Sequence, residues 1–109
     1  MMQRYLDIIN HFGYRKQMKK LNEECYEFLE AVDIYEDAWL EQDDKEPYYT
    51  VGEMAIFRDH IIEEMGDMLI LLTEFIAKYD IEKEELDKVM DFKLDRTEQR
   101  IVTKYYEKN

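Results

Sequence analysis

The sequence has one cysteine, one proline and three glycines among its 109 residues. The single cysteine, Cys25, cannot form a disulfide within the chain, so we expect no disulfide framework. Glycine and proline are common turn residues, and a sheet protein needs many turns. Their scarcity, together with a charged fraction of 39%, predicts an all-α protein with few connections.

Long hydrophobic runs are also lacking. The longest, Met68–Leu72, is far too short to span a bilayer. No secretory or targeting segment precedes the first amphipathic stretch, so we expect a reduced, cytoplasmic setting. A net charge of −12 disfavours nucleic acid and anionic membranes as partners. With 46% hydrophobic residues the chain has enough apolar side chain for one core, and we expect residues 1–109 to form a single domain.

Apolar residues recur at steps of three and four along two long segments, which predicts two amphipathic helices. From about Arg15 to Glu41 the apolar line is Met18, Leu21, Cys25, Phe28, Val32, Tyr35 and Trp39. Between Glu53 and about Lys78 it is Met54, Phe57, Ile61, Met65, Met68, Leu72, Phe75 and Tyr79. Apolar residues surround the middle of this second segment, so we expect it to be the most buried helix.

Weaker patterns predict two further helices. One extends over residues 2–11 and ends near Gly13, since glycine is common at helix C-termini. The other follows Asp80, a predicted N-cap, and continues to about residue 106. Residues 42–52 hold the only proline and form the predicted connection. The chain is therefore expected to fold as an antiparallel helical bundle of about four helices.

Two acidic pairs have the same spacing and the same place in their helices. Glu24 and Glu27 stand three residues apart in the second helix, and Glu64 and Asp67 do so in the third. Each pair lies one position before two residues of its apolar line. Residues three apart on a helix are neighbours, so antiparallel packing of the two lines would let four carboxylates converge.

Repulsion among four partly buried carboxylates is relieved by raised pKa values or by a bound cation. Mg²⁺ suits oxygen ligands and bridges to substrate phosphates, which points to phosphoester or phosphoanhydride chemistry. Gly66 lies between the second pair, and a glycine inside a helix predicts a close approach there. With 27 acidic residues in the chain, the same spacing also arises by chance on solvated faces, as in Glu27 and Glu30.

The acidic pairs and their surroundings resemble a known signature. Lys20–Glu27, followed by Glu63–Leu69, is similar to the ExxE…ExxD pattern of the MazG-like all-α nucleoside triphosphate pyrophosphohydrolases. Phe92–Arg100 resembles the basic C-terminal segment of that family. Family members often carry an Asn in this segment, at a position that corresponds in this chain to either Asp95 or Thr97.

The resemblance implies hydrolysis of a nucleoside triphosphate to its monophosphate and pyrophosphate, in nucleotide-pool house-cleaning. Mg²⁺, or Mn²⁺ in its place, would be held by the catalytic carboxylates Glu24, Glu27, Glu64 and Asp67. The phosphate oxygens would be contacted from the last helix by Lys93, Arg96 and Arg100. The resemblance also implies a homodimer or homotetramer that completes the core and the active site.

Two other interpretations remain open. A carboxylate-bridged di-iron or di-manganese bundle usually needs Glu-x-x-His motifs, which His11 and His60 do not supply. A catalytically silent helical interaction module would bind a partner through its apolar lines and turn its acidic residues to solvent. Phe12, Tyr14 and Trp39 could stack on a base, but aromatic residues at helical spacing pack more often in the core, where we place Trp39.

Overall fold

The computed structural model describes residues 2–42 and 48–108, with the backbone alone at residues 104–108. This part of the chain is all α, as predicted, with four helices and no strand. The helices are α1 (Met2–Phe12), α2 (Tyr14–Leu40), α3 (Val51–Lys78) and α4 (Lys83–Lys108). They divide into two compact units, Met1–Lys78 and Tyr79–Asn109. None of the helices described is long and apolar enough to cross a membrane.

Gly13 separates α1 from α2. Its φ of 87° and ψ of 148° define a conformation that glycine adopts freely and that strains a residue with a Cβ atom. The Gly13 N–H donates to the Ile9 carbonyl at 2.8 Å and ends α1, while the Gly13 carbonyl accepts the Gln17 N–H at 3.2 Å in the first turn of α2. The first helix thus ends at the predicted glycine.

Hydrogen bonds join the two described ends of the connection between α2 and α3. The side-chain amide of Gln42 donates to the Tyr49 carbonyl and accepts the Tyr49 N–H, both at 2.8 Å. A capping box then begins α3, because Thr50 Oγ1 accepts the Glu53 N–H at 3.1 Å and Glu53 Oε1 accepts the Thr50 N–H at 3.2 Å. Pro47, in the predicted connection, lies outside the described residues.

Helices α2 and α3 pack antiparallel. Gln17, early in α2, hydrogen-bonds to Glu74, late in α3, while Glu24, further along α2, meets Glu64, further back along α3. Buried and half-buried residues alternate steps of four and three along α2: Gln17, Leu21, Glu24, Phe28, Ala31, Tyr35 and Ala38. The matching line on α3 is Met54, Phe57, Ile61, Glu64, Met68, Leu71 and Phe75. These two lines form the seam of the helix pair.

The residues that α2 contributes to the seam differ in part from the predicted apolar line. Gln17 and Ala38 are buried, whereas their neighbours Met18 and Trp39 are 56% and 52% exposed. The placement of Trp39 in the core was therefore wrong; its ring packs edge to face against Tyr35, with 6.2 Å between centroids. A small side chain such as that of Ala38 lets two helices approach closely, which a larger side chain would prevent.

Helix α3 keeps one apolar face uncovered in the unit described. Met65 and Leu72, predicted to lie in the packed line, are 44% and 42% exposed. They share a face with Ile62 and Leu69, which are 50% and 55% exposed, because the four residues follow steps of three and four. We call these four residues the apolar face of α3.

Helix α4 begins later than predicted. Asp80, the predicted N-cap, has a φ of 50° and follows the end of α3. The helix starts at Lys83, and the Glu85 carboxylate accepts the Glu82 N–H at 3.0 Å. Acidic side chains in this first turn suit the positive end of the helix dipole. The described side chains of α4 are exposed, apart from the half-buried Asp87.

Gly66 lies inside α3 without the close approach predicted for it. A Cβ atom built there meets no described atom within 4 Å. The glycine therefore weakens the helix, since it gives up more backbone entropy than alanine and gains no contact in return.

The two glycines should respond oppositely to alanine. Gly13→Ala should destabilise the fold by about 1–3 kcal/mol, because the cost of its positive φ is not offset by new contacts. Gly66→Ala should stabilise it by about 0.5–1 kcal/mol. Urea unfolding followed by circular dichroism measures both changes, and a shift in the same direction for both variants would contradict this account.

Candidate functional site

Glu24 and Glu64 lie in the seam itself, where helix pairs usually place apolar side chains. Glu64 is 9% exposed and Glu24 is half-buried. Burial of a carboxylate costs free energy unless a partner or a cation offsets it. The first member of each predicted pair is thus closer to the core than the flank on which the sequence pattern placed it.

Three of the four predicted carboxylates come together. One oxygen from each of Glu24, Glu27 and Glu64 lies within 4.8 Å of the other two. We call these three residues the carboxylate cluster. Asp67 stands outside this group, but it is near enough to Glu24 to affect the pKa of that carboxyl, and it lines the cavity described below.

The carboxylate cluster contains buried oxygens without donors. In the described part of the chain, the Oε2 atoms of Glu24 and Glu64 are buried and accept no hydrogen bond. His60 does not supply one, since its Nε2 lies 3.9 Å from Glu64 Oε1. An unsatisfied buried acceptor costs about 1–3 kcal/mol. Both oxygens are therefore suited to receive a proton or to ligate a cation.

The pKa of Glu24 is raised from 4.5 to about 7. Desolvation is the largest cause, followed by the negative charges of Glu27 and Asp67 and by the Glu64 carboxyl. A carboxyl in this range exchanges its proton for a metal ion near neutral pH. Because all three members of the cluster offer oxygen, a hard cation such as Mg²⁺ or Mn²⁺ fits the donor set better than a softer metal.

A cavity of about 310 Å³ adjoins the carboxylate cluster. Glu24, Asp67 and Lys20 line it, together with a buried polar pair formed by Gln17 and Glu74. Gln17 is 3% and Glu74 is 1% exposed, and Gln17 Nε2 donates to Glu74 Oε1 at 2.7 Å. Sequence reasoning missed this pair, because a polar residue within a helix is usually solvated. The available signal was spacing, since Gln17 lies two turns before Glu24.

Three lysines surround a second depression at the start of α2. Lys16, Lys19 and Lys20 line it together with Glu23 and with Glu24 of the carboxylate cluster. Positive side chains therefore lie directly beside the acidic site, although the chain as a whole has a charge of −12. They form the cationic group that the described contacts place next to the carboxylates.

The predicted phosphate-binding residues Lys93, Arg96 and Arg100 are exposed on α4, in the other compact unit. The Arg96 guanidinium carbon lies 6.0 Å from the Phe92 ring centroid. The hydroxyl of Thr97, which with Asp95 is one of the two positions that correspond to the family's Asn, donates to the Lys93 carbonyl of its own helix at 2.9 Å. A phosphate-binding role for these cations stays a prediction.

Comparison of this chain with known protein families, with curated proteins and with solved structures found no match in any of the three. The resemblance to MazG-like enzymes therefore rests on the sequence segments that carry it.

The raised pKa of Glu24 predicts a pH-dependent stability. A carboxyl whose pKa is 4.5 unfolded and about 7 folded stabilises the fold fully below pH 4.5 and loses that contribution as the pH rises through 7. In EDTA, the melting temperature of the wild type should therefore fall relative to that of Glu24→Gln as the pH rises between these values. Added Mg²⁺ should raise the wild-type melting temperature more at pH 8 than at pH 5. Circular dichroism measures both, and a pH-independent difference between the two proteins would contradict the shift.

Proposed function

We propose that this protein is a Mg²⁺-dependent nucleotide pyrophosphohydrolase, which cleaves a nucleoside triphosphate to its monophosphate and pyrophosphate. The observation that carries the proposal is the carboxylate cluster, with two buried oxygens that lack donors. The resemblance of Lys20–Glu27 and Glu63–Leu69 to the MazG-like signature supports the same reaction and suggests a role in cytoplasmic nucleotide-pool house-cleaning.

In this proposal the carboxylate cluster holds the metal ion, and Asp67 adds a fourth carboxylate from the wall of the cavity. Mg²⁺ held by these residues would offset the charge of the triphosphate and supply an activated water. One water adds across the α–β phosphoanhydride bond, so that nucleoside monophosphate and pyrophosphate are the products. Mn²⁺ takes the same oxygen ligands and is expected to substitute.

The triphosphate needs cations besides the metal. Lys20 lines the cavity beside Glu24, and Lys16 and Lys19 continue the positive surface along the first turns of α2. Lysine ammonium groups bind phosphate oxygens as mobile point charges, which suits a chain of three phosphates. The resemblance assigns the same task to Lys93, Arg96 and Arg100, and we retain these residues as a second cationic set.

Loss of one cluster carboxylate should abolish turnover. With a panel of canonical and modified triphosphates, we expect pyrophosphate release that needs Mg²⁺ or Mn²⁺ and stops on addition of EDTA. Glu64→Gln should lower kcat/KM by roughly 100-fold or more, since the amide keeps the shape but removes a charged metal ligand. A coupled pyrophosphate assay provides the measurement.

Glu30→Gln is the matched control. Glu30 is exposed on α2 and repeats the three-residue spacing with Glu27, but it lies outside the carboxylate cluster. Its activity should stay within about twofold of the wild type. An absence of pyrophosphate from every triphosphate, or equal activity of Glu64→Gln and Glu30→Gln, would refute the enzyme proposal and favour the silent interaction module.

A homo-oligomer forms part of the proposal. The apolar face of α3 exposes 42–55% of each of its four side chains, and soluble proteins rarely leave contiguous apolar patches uncovered. A second copy of the chain would bury this face, in agreement with the dimer or tetramer that the resemblance implies.

A charge on this face should separate the copies. Light scattering should give at least twice the chain mass of 13.5 kDa, and Leu69→Glu should lower that mass because a carboxylate is costly to bury. Leu40→Glu, at a site 83% exposed at the end of α2, should leave the mass unchanged. A wild-type protein that is active and strictly monomeric would contradict the oligomer.

A further inference from the structure

The Gln17–Glu74 pair has no part in the hydrolysis proposed above. Both residues are almost fully buried, yet both line the cavity that adjoins the carboxylate cluster. In the described part of the chain, the carboxylate of Glu74 has a neutral amide as its hydrogen-bond partner, at 2.7 Å. A buried carboxylate with one neutral donor has remaining capacity to accept hydrogen bonds. A ligand in the cavity would use that capacity.

The dimensions and lining of the cavity suit a flat heteroaromatic ring. Its volume of about 310 Å³ is at the lower end of the range of ligand pockets, roughly 300–1,000 Å³. Its walls include the apolar side chains of Ile8, Phe12 and Leu71. Phe12 is 47% exposed, and the Lys16 ammonium lies over its ring at 5.2 Å from the centroid, so a ligand would stack on the opposite face.

The polar pair lies at a fixed distance from the proposed metal site. Gln17 precedes Glu24 by seven residues on the same helix, which corresponds to about 10 Å of helix rise. The cavity is lined by both, so one ligand can contact the pair at one end and the carboxylate cluster at the other. A nucleotide has this form, with a base and a phosphate group separated by a sugar.

The hydrogen-bonding groups of the pair define which base edge fits. One N–H of Gln17 is taken by Glu74, which leaves the second amide N–H as a donor and the carboxylate as an acceptor. An amino group facing Glu74 beside an unprotonated ring nitrogen facing Gln17 satisfies both, and cytosine and adenine present their groups in this order. Uracil and guanine present a carbonyl oxygen beside a ring N–H, which is the reverse order, so in this register each turns its carbonyl oxygen towards the carboxylate.

We propose that Gln17 and Glu74 recognise the amino-substituted edge of cytosine or adenine in a nucleotide whose phosphates lie at the carboxylate cluster. The proposal rests on the function proposed above for the phosphate end. The base end can be tested without metal or hydrolysis.

Nucleoside binding tests the base end in the intact wild-type chain. Cytidine, adenosine, uridine and guanosine are titrated into isotope-labelled protein in EDTA, and the side-chain amide signals of Gln17 are followed by NMR. Cytidine or adenosine should shift these signals, with uridine and guanosine binding at least ~10-fold more weakly. The arm that shifts the signals more strongly identifies the base. No shift with any nucleoside, or equal affinity for all four, would overturn the proposal.

Turnover tests the same pair independently. The kcat/KM for cytidine or adenosine triphosphate should exceed that for uridine triphosphate by at least ~10-fold. Glu74→Gln should reduce this ratio, because its amide can donate to a uracil carbonyl, while Glu30→Gln should leave the ratio unchanged. Equal turnover of all triphosphates by the wild type would refute base recognition and leave the hydrolase intact. Base-selective nucleoside binding without turnover would refute the hydrolase alone.

Discussion

The carboxyl groups of Glu24 and Glu64 occupy positions through which α2 and α3 contact each other. A helix pair gains most of its stability by burying apolar side chains at such positions, and carboxylates there cost free energy until a proton or a cation offsets their charge. The raised pKa of Glu24 means that a proton does so near neutral pH in the free protein. A bound cation would displace this proton and stabilise the same contact, so metal affinity and helix packing would be coupled.

The two ends of the seam differ in polarity, because the carboxylates lie towards one of them. Towards the C-terminal end of α2 it is built from small and aromatic residues, such as Ala31, Tyr35 and Ala38. Towards the N-terminal end it contains polar groups at two levels, the carboxylate cluster and the buried contact of Gln17 with Glu74. The apolar half supports the fold, which allows the polar half to border a cavity rather than close completely.

The helices were predictable because local periodicity determines them, and α2 begins and ends within one residue of its predicted bounds. The side of α2 that packs against α3 was harder to predict. Met18 and Trp39 each stand one position after a buried residue, Gln17 and Ala38, and hydropathy favours the two larger apolar side chains for the core. Close helix contact selects the smaller side chain instead. The acidic spacing predicted the carboxylate cluster. The contact of Gln17 with Glu74 joins residues 57 positions apart, and its one local signal was the two-turn spacing of Gln17 from Glu24.

Net charge bears differently on a large partner and on a small ligand. The chain carries −12 overall, which repels a long anionic surface at every point of contact. A nucleoside triphosphate is small, and salt largely screens its interaction with exposed charges more than about 8 Å away, the Debye length at physiological ionic strength. Lys16, Lys19 and Lys20 line the same depression as Glu24, and a bound divalent ion would add further positive charge. In the proposed function, the local order of charges along the first turns of α2 would therefore govern phosphate binding, and an acidic composition is compatible with a nucleotide substrate.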